Sequence, residues 1–162
     1  MPESYFPRFV DEAVERYARD TVLAGRWPGN EAAARSRAEL DRFLPGGVST
    51  PGHHVCLVEC KGVEGAAGTL WYGPAVRGER RIAYIYDLCI YPDHRRRGLA
   101  TWCLDEVERI SRRRKLEAVA LHVFAHNRAA LALYEKSGFK QVDGLMVKQL
   151  QRSTRIFSAV RD

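Results

Sequence analysis

The fold of this 162-residue chain is decided by the segment Asp87-Leu-Cys-Ile-Tyr-Pro-Asp-His-Arg-Arg-Arg-Gly-Leu-Ala-Thr-Trp-Cys-Leu-Asp-Glu-Val-Glu-Arg-Ile110. Its first part continues a strand, because residues 82–91 are rich in β-branched and aromatic side chains and Pro92 follows them. Its last part is a helix, in which apolar residues recur at steps of three and four: Ala100, Cys103, Leu104, Val107 and Ile110. The loop Arg95-Arg96-Arg97-Gly98 joins the strand to the helix.

This junction has the chemistry of an anion site. The first N–H groups of a helix have no partner within the helix, and the helix dipole adds partial positive charge there. Gly98 has no Cβ, so a ligand can approach the backbone closely, and three arginines precede it. We therefore expect a phosphorylated ligand, held by charge-assisted hydrogen bonds of about 1.5–3 kcal/mol each. On these residues alone, a solvated arginine run at an ordinary helix start explains the pattern equally well.

Two motifs give the loop a more specific meaning. Neither Gly-x-Gly-x-x-Gly nor Gly-x-x-x-x-Gly-Lys-Ser/Thr occurs in the chain. Arg95-x-x-Gly98-x-Ala100 instead resembles the Arg/Gln-x-x-Gly-x-Gly/Ala signature of the GNAT superfamily, the acyl-CoA-dependent N-acyltransferases. A second segment resembles the other GNAT motif and consists of Asn127, Ala130, Leu133-Tyr134-Glu135-Lys136 and Gly138-Phe139. The two motifs occur in the family's order, and the resemblance covers about residues 50–150.

The resemblance implies acetyl-CoA as co-substrate, with no metal. In that family the loop holds the pyrophosphate of coenzyme A, and the preceding strand pairs its backbone with the pantetheine arm. Asn127 would cap its helix and also bond the pantetheine arm. The residues implied in binding acetyl-CoA are Leu88, Cys89, Ile90, Arg95, Arg96, Arg97, Gly98, Leu99, Ala100, Asn127 and Tyr134.

The resemblance also implies the catalytic groups. Tyr134 matches the family tyrosine that donates a proton to the departing thiolate, a role suited to a phenol because it keeps its proton at neutral pH. Its alternative role is packing on the sheet, with the hydroxyl bonded to a neighbour. His122 stands where some members that acylate protein N-termini carry a Glu, and an imidazole can accept the ammonium proton directly or through water.

Other bases stay open. Asp87 is a second candidate, but strand alternation places it on the face opposite Tyr84 and Tyr86 if those two line the cleft. If His122 is a core histidine, water removes the proton instead. His126 is expected to support its loop. Tyr84, Tyr86 and Trp71 suggest an aromatic wall for the acceptor, a primary amine of a small molecule or of a peptide or protein N-terminus.

The periodicities predict one domain over residues 1–162, of the α/β (α+β) class. Its GNAT-like, mixed and mostly antiparallel sheet would contain one parallel strand–helix–strand crossover and be flanked by helices. Helices are predicted at 6–26, at 30–44 with Asn30 as N-cap, after Gly98, and after Asn127 up to Gly138. Strands are predicted at 55–59, 66–72, 82–91, 115–124, 139–142 and 145–150, with a turn at 73–79. Most GNAT members begin with a strand before the first two helices; here either that strand is absent or the stated start lies downstream of the true one.

The bulk composition fits this interpretation. No stretch approaches the roughly 18 apolar residues of a membrane span, and the N-terminus lacks an apolar secretory core. The cysteines Cys56, Cys60, Cys89 and Cys103 lie among apolar residues, which favours buried reduced thiols and a cytoplasmic protein. A formal charge of +6 favours polyanions in general, but no motif supports nucleic acid as the partner. A non-catalytic acyl-CoA sensor is the main alternative function, and a homodimer is compatible with the sequence.

Overall fold

The computed structural model describes residues 1–148, which form a four-stranded mixed sheet flanked by helices. The strands are β1 (His54–Val58), β2 (Gly68–Arg77), β3 (Arg80–Ile90) and β4 (Val119–Leu121), in the order β1-β2-β3-β4. β2 is antiparallel to both of its neighbours, whereas β3 and β4 are parallel and are connected through a helix. The predicted fold class and its single parallel crossover are therefore confirmed.

Within the described part of the chain, four α-helices accompany the sheet: α1 (Phe6–Leu23), α2 (Gly29–Phe43), α3 (Leu99–Arg113) and α4 (Arg128–Lys136). α1 follows a short 3-10 turn, Glu3–Tyr5, and no strand precedes it within the described part of the chain. None of the helices among residues 1–148 is long and apolar enough to cross a membrane.

Each face of the sheet carries its own apolar core, as expected when two layers of helices enclose one sheet. On one face, α3 packs its Cys103, Leu104 and Val107 against the sheet residues Leu70 and Ile85. On the other face, α1 and α2 cover Val55 and Trp71 with a second set of buried residues: Phe9, Val10, Ala13, Leu40 and Leu44. A side chain of β3 therefore meets either α3 or the α1–α2 pair, depending on the face to which it points.

β2 is longer than predicted. The turn predicted at 73–79 is wrong, because β2 continues through Pro74 to Arg77 and a two-residue turn at 78–79 joins it to β3. β1 pairs with β2 only as far as Tyr72, so Pro74 lies where β2 has become an edge strand and needs no N–H for a second ladder. Gly78 adopts the left-handed conformation (φ +61°) that such a tight turn requires.

Other element ends also differ from the prediction. α2 begins after Pro28, and Asn30 lies inside the helix rather than at its cap. β4 covers only Val119–Leu121 of the strand predicted at 115–124. Residues 139–142 form no strand, and the same holds for the described part, 145–148, of the last predicted strand. The remaining residues of that strand, 149 and 150, lie outside the described residues.

Candidate functional site

The parallel strands β3 and β4 diverge soon after they meet. Their ladder consists of three residue pairs and ends where Ile85 lies opposite Leu121. β3 then continues to Ile90, whereas the chain after Leu121 leaves the sheet and reaches the cap of α4 at Asn127. The backbone of residues 86–90 therefore borders an opening on its β4 side, and the predicted pantetheine-binding residues Leu88, Cys89 and Ile90 lie on this border.

A β-bulge marks the point of divergence. In the register with β2, Trp71 lies opposite Asp87 and Tyr72 lies opposite Ile85, so Tyr86 is an extra residue without an opposite partner. An extra residue reverses the alternation of the strand beyond it. Asp87 consequently points to the α1–α2 face together with Tyr86. The expectation that Asp87 faces away from Tyr84 and Tyr86 is wrong, because it assumed uninterrupted alternation.

The loop before α3 leaves the helix N-terminus open. Arg96 (φ +62°) and Gly98 (φ +78°) both adopt the left-handed conformation, and Gly98 is the N-cap residue of α3. Among residues 1–148, no side chain caps the helix, its first turn carries no acidic residue, and a Cβ added to Gly98 would meet no atom within 4 Å. The residues that follow, Leu99 and Ala100, therefore present backbone N–H groups to an accessible surface.

The three arginines of the loop differ in their surroundings. Nε of Arg95 donates a hydrogen bond to the carbonyl oxygen of Ile90 at 2.9 Å, which fixes this side chain at the end of β3. Arg96 and Arg97 are exposed. The loop thus places positive charge next to an uncapped helix start, which is an arrangement that binds phosphate groups well.

Tyr134 lies on α4, whose two ends have the predicted signals. The side-chain oxygen of Asn127 accepts a hydrogen bond from the N–H of Ala130 at 3.1 Å, and Gly138 (φ +84°) follows the helix. Tyr134 packs against the ring of Phe139, with 5.7 Å between centroids. Burial, and then the negative charge of Asp87, raise the pKa of Tyr134, so its phenol keeps its proton at neutral pH.

His122 lies just beyond the end of β4, near the surface rather than in a core. Its ring meets Phe124 edge-on, with 4.8 Å between centroids. Burial, and then the charge of Arg26, lower the pKa of His122, while Asp143 opposes this effect. The imidazole is therefore neutral at neutral pH and able to accept a proton. Tyr134 and His122 thus have different neighbours: Tyr134 packs against the core on the α3 side, whereas His122 contacts Phe124.

Asp87 forms an ion pair that sequence reasoning missed. Its Oδ2 accepts hydrogen bonds from Nη2 of Arg16 at 3.0 Å and from the hydroxyl of Thr69 at 3.3 Å. Burial raises the pKa of Asp87, and the Arg16 guanidinium acts in the opposite direction. Arg16 lies on α1, 71 residues earlier in the chain, and no local pattern distinguishes it from the other exposed or half-buried arginines of that helix.

The ion pair belongs to a longer polar chain that reaches the end of β3. Glu12 lies 3.8 Å from Arg16 and accepts a hydrogen bond from the hydroxyl of Tyr91 at 3.0 Å. The hydroxyls of Tyr91 and Tyr5 are 2.9 Å apart. Because Tyr91 directly precedes the loop at Pro92, these contacts join α1 to the base of the loop that carries Arg95, Arg96 and Arg97.

Comparison with known proteins decides the family. The family model of the Acetyltransferase (GNAT) family matches residues 12–139 of this chain. The chain belongs to the GNAT acetyltransferase family. It is accordingly an acyltransferase enzyme, and both the resemblance drawn from the two motifs and the GNAT fold are confirmed.

Relatives and solved structures agree with this assignment. The "Uncharacterized N-acetyltransferase YycN" of Bacillus subtilis is 31% identical over 150 residues, which cover 93% of this chain and 96% of YycN. The crystal structure of YycN has a TM-score of 0.85 to this chain, with the same shares of the two chains covered. YdgE of the same organism, also named as an N-acetyltransferase, is 31% identical and covers 93% of this chain and 95% of its own length.

A more distant solved structure shares the fold. The aminoglycoside N-acetyltransferase AAC(6')-Iy, solved in complex with CoA, has a TM-score of 0.60 at 15% identity, with 93% of this chain and 91% of that chain covered. GNAT enzymes use acetyl-CoA, and two features of this chain fit that molecule. The uncapped N-terminus of α3 suits a diphosphate, and the open edge of β3 suits an amide-containing arm.

Proposed function

We propose that this GNAT enzyme transfers the acetyl group of acetyl-CoA to a primary amine by direct attack of the amine on the thioester. The observation that carries the proposal is the opening between β3 and the chain after β4. β3 leads into the open N-terminus of α3, and the chain after β4 leads into α4, the helix that carries Tyr134. Acetyl-CoA, when bound, supplies an activated acetyl group on a thiolate leaving group.

Binding is assigned to the loop, the edge of β3 and the cap of α4. The backbone N–H groups of Gly98, Leu99 and Ala100 and the guanidinium groups of Arg95, Arg96 and Arg97 would hold the diphosphate. The backbone of Leu88, Cys89 and Ile90 would pair with the pantetheine arm as an added strand would pair. Asn127 uses its side-chain oxygen in the cap, which leaves its amide N–H groups as donors to that arm.

The chemical step needs a base and an acid. As the amine nitrogen bonds to the acetyl carbon, the carbon–sulfur bond breaks and the electron pair leaves on sulfur. His122 accepts the proton released by the amine, directly or through water, and its lowered pKa keeps it ready to do so. Tyr134 donates its proton to the departing sulfur, and such acid–base assistance contributes about 10²–10⁴ in rate. A backbone N–H of residues 88–90 would polarise the thioester carbonyl.

The chain is proposed to act as a single N-acetyltransferase domain in the cytoplasm. Its four cysteines are free thiols within the described residues. Burial raises the pKa of Cys103 to about 11, so this thiol is unreactive at neutral pH. Reduced, unreactive thiols fit a reducing compartment.

Two measurements on the full chain test the proposal. Calorimetric titration with CoA is expected to show binding, and an assay of free thiol is expected to show acetyl-CoA consumption when a panel of small amines and peptides is added. CoA binding without thiol release from any amine would instead favour a non-catalytic sensor. Failure to bind CoA would refute the proposed site.

A further inference from the structure

On the α1–α2 side of the sheet, two clusters of aromatic rings lie along β3 and along the chain that follows β4. The first, the β3 ring cluster, consists of Phe43, His53, Trp71, Tyr84 and Tyr86. The second, the post-β4 ring cluster, consists of Tyr17, Trp27, His122, Phe124 and His126. Rings of β3 and rings of the chain that follows β4 thus lie on the same side of the sheet.

The β3 ring cluster is built around the bulge. Tyr86, the extra residue, stacks on Trp71 at 4.6 Å between centroids and 18° between planes. The indole N–H of Trp71 donates to Nδ1 of His53 at 3.0 Å, which holds both rings in place. Tyr84 lies next along the strand, 4.9 Å from Tyr86, and is only half-buried. The cluster therefore ends in a ring that a ligand can reach.

The post-β4 ring cluster is centred on Phe124. The ring centroids of Phe124 and Tyr17 are 6.1 Å apart. The imidazole of His126 stacks on the Phe124 ring, with 5.4 Å between centroids. The guanidinium of Arg26 lies 5.9 Å from the centre of the Phe124 ring. Tyr17 is close enough to Tyr84 to contribute, after burial, to the raised pKa of that phenol. The two clusters therefore approach each other through Tyr17 and Tyr84.

Two of the carboxylates near these rings have partners. Asp87 is paired with Arg16 at 3.0 Å, and Asp20 with His126 at 3.1 Å. Burial raises the pKa of Tyr17, Glu39 adds to this effect, and Arg26 opposes it. A polyamine or an aminosugar needs several free carboxylates, whereas this surface offers ring faces. From this contrast we propose that the acceptor is a primary amine attached to an aromatic ring, an arylalkylamine, which packs against the half-buried ring of Tyr84.

This inference rests on the proposed function, and its test uses matched amines. Acetyl-CoA consumption is measured with 2-phenylethylamine, with 2-cyclohexylethylamine of similar size but without π electrons, and with the polycation spermidine. Rates are referred to the neutral form of each amine. Aromatic contacts are expected to raise kcat/KM for the phenyl compound about 2- to 10-fold over the cyclohexyl compound.

Variants assign the preference to the ring cluster. Tyr84→Leu is expected to bring the phenyl-to-cyclohexyl ratio close to one, whereas Tyr84→Phe keeps it because the ring remains. Tyr72→Leu is the matched control, since Tyr72 belongs to the core on the α3 side and its loss changes the rates with both amines by one common factor. The ratio is insensitive to how much of each variant is folded.

The outcomes separate the inference from the function on which it rests. Equal kcat/KM for the phenyl and cyclohexyl amines, or a preference for spermidine, would overturn the aromatic acceptor while thiol release still upheld acetyl transfer. A ratio that survives Tyr84→Leu would overturn the assignment to this cluster. Absence of both CoA binding and thiol release would refute the proposed function itself.

Discussion

The ion pair between Arg16 and Asp87 leads to a quantitative prediction about stability. Nη2 of Arg16 lies 3.0 Å from Oδ2 of Asp87, and the two side chains are only 23% and 19% exposed. The variant Arg16→Met keeps the apolar stem that packs under the sheet but removes the charge. Asp87 then remains largely buried, with the hydroxyl of Thr69 as its remaining hydrogen-bond donor.

The expected magnitude follows from this burial. Removing one partner of a fully buried ion pair costs about 3–5 kcal/mol, and the residual exposure here favours the lower end, ~3 kcal/mol. Asp87→Asn in the Arg16→Met background removes the unpaired carboxylate charge and recovers part of the lost unfolding free energy. The coupling energy of the double-mutant cycle should be about 2 kcal/mol, within the range of charge-assisted hydrogen bonds.

The pH dependence has a definite sign. Burial raises the pKa of Asp87 and Arg16 lowers it, so Arg16→Met should raise the pKa further. Between the pKa of Asp87 in the unfolded chain and its higher pKa in the folded variant, only the folded state keeps the proton. The stability of the variant therefore falls as the pH rises through this range. The deficit relative to the unaltered protein should therefore be largest near pH 7 and smaller near pH 5.

Urea unfolding, followed by far-UV circular dichroism, measures both quantities. The control is Arg37→Met, which breaks the exposed pair of Arg37 with Asp41 and should cost no more than about 0.5 kcal/mol at either pH. A coupling energy below about 0.5 kcal/mol for Arg16 and Asp87 would refute the reasoning, since that value is typical of solvent-exposed pairs. An Arg16→Met deficit that does not change with pH would refute it as well.

Three further predictions concern the proposed acetyl-CoA site. Gly98→Ala and Gly138→Ala both place a Cβ at positive φ and should each cost about 1–2 kcal/mol of stability, but only Gly98→Ala should weaken CoA binding in a calorimetric titration. Asn127→Ala should lower the free energy of unfolding by about 1 kcal/mol through loss of the helix cap. Asn127→Asp should keep the cap and still weaken CoA binding. Equal CoA affinity for Asn127→Asp and the unaltered protein would exclude the amide as a ligand. On the acid side of its pH profile, kcat/KM should fall at a pH below the ordinary histidine pKa, because the pKa of His122 is lowered. His122→Gln should remove this acid-side decrease, and an unchanged decrease would exclude His122 as the base.

Features encoded by local signals were predictable. The strand that became β3, the helix after Gly98, the Asn127 cap and the left-handed Gly138 each depend on a few adjacent residues. Glycine at positive φ and a side-chain cap need no knowledge of distant parts of the chain. For the same reason, the two GNAT motifs could be placed at their structural positions from the sequence.

Features set by distant parts of the chain were not predictable. The bulge at Tyr86 arises from the register between β2 and β3, and it alone brings Asp87 to the face of Tyr84 and Tyr86. Arg16 becomes important only because α1 packs over that face. The extension of β2 past Pro74 likewise depends on where β1 ends. Strand alternation describes one strand at a time and contains none of this information.

The central claim is that Tyr134 donates a proton to the leaving thiolate, and Tyr134→Phe tests it most directly. The variant removes only the hydroxyl and keeps the ring that packs against Phe139. With the best acceptor of the panel, kcat should fall about 10²–10⁴-fold while the Kd for CoA changes less than about twofold. Thiophenyl acetate, whose leaving group needs no proton, should show a much smaller loss. Unchanged kcat, or a loss of kcat that only matches a loss of CoA affinity, would contradict the account.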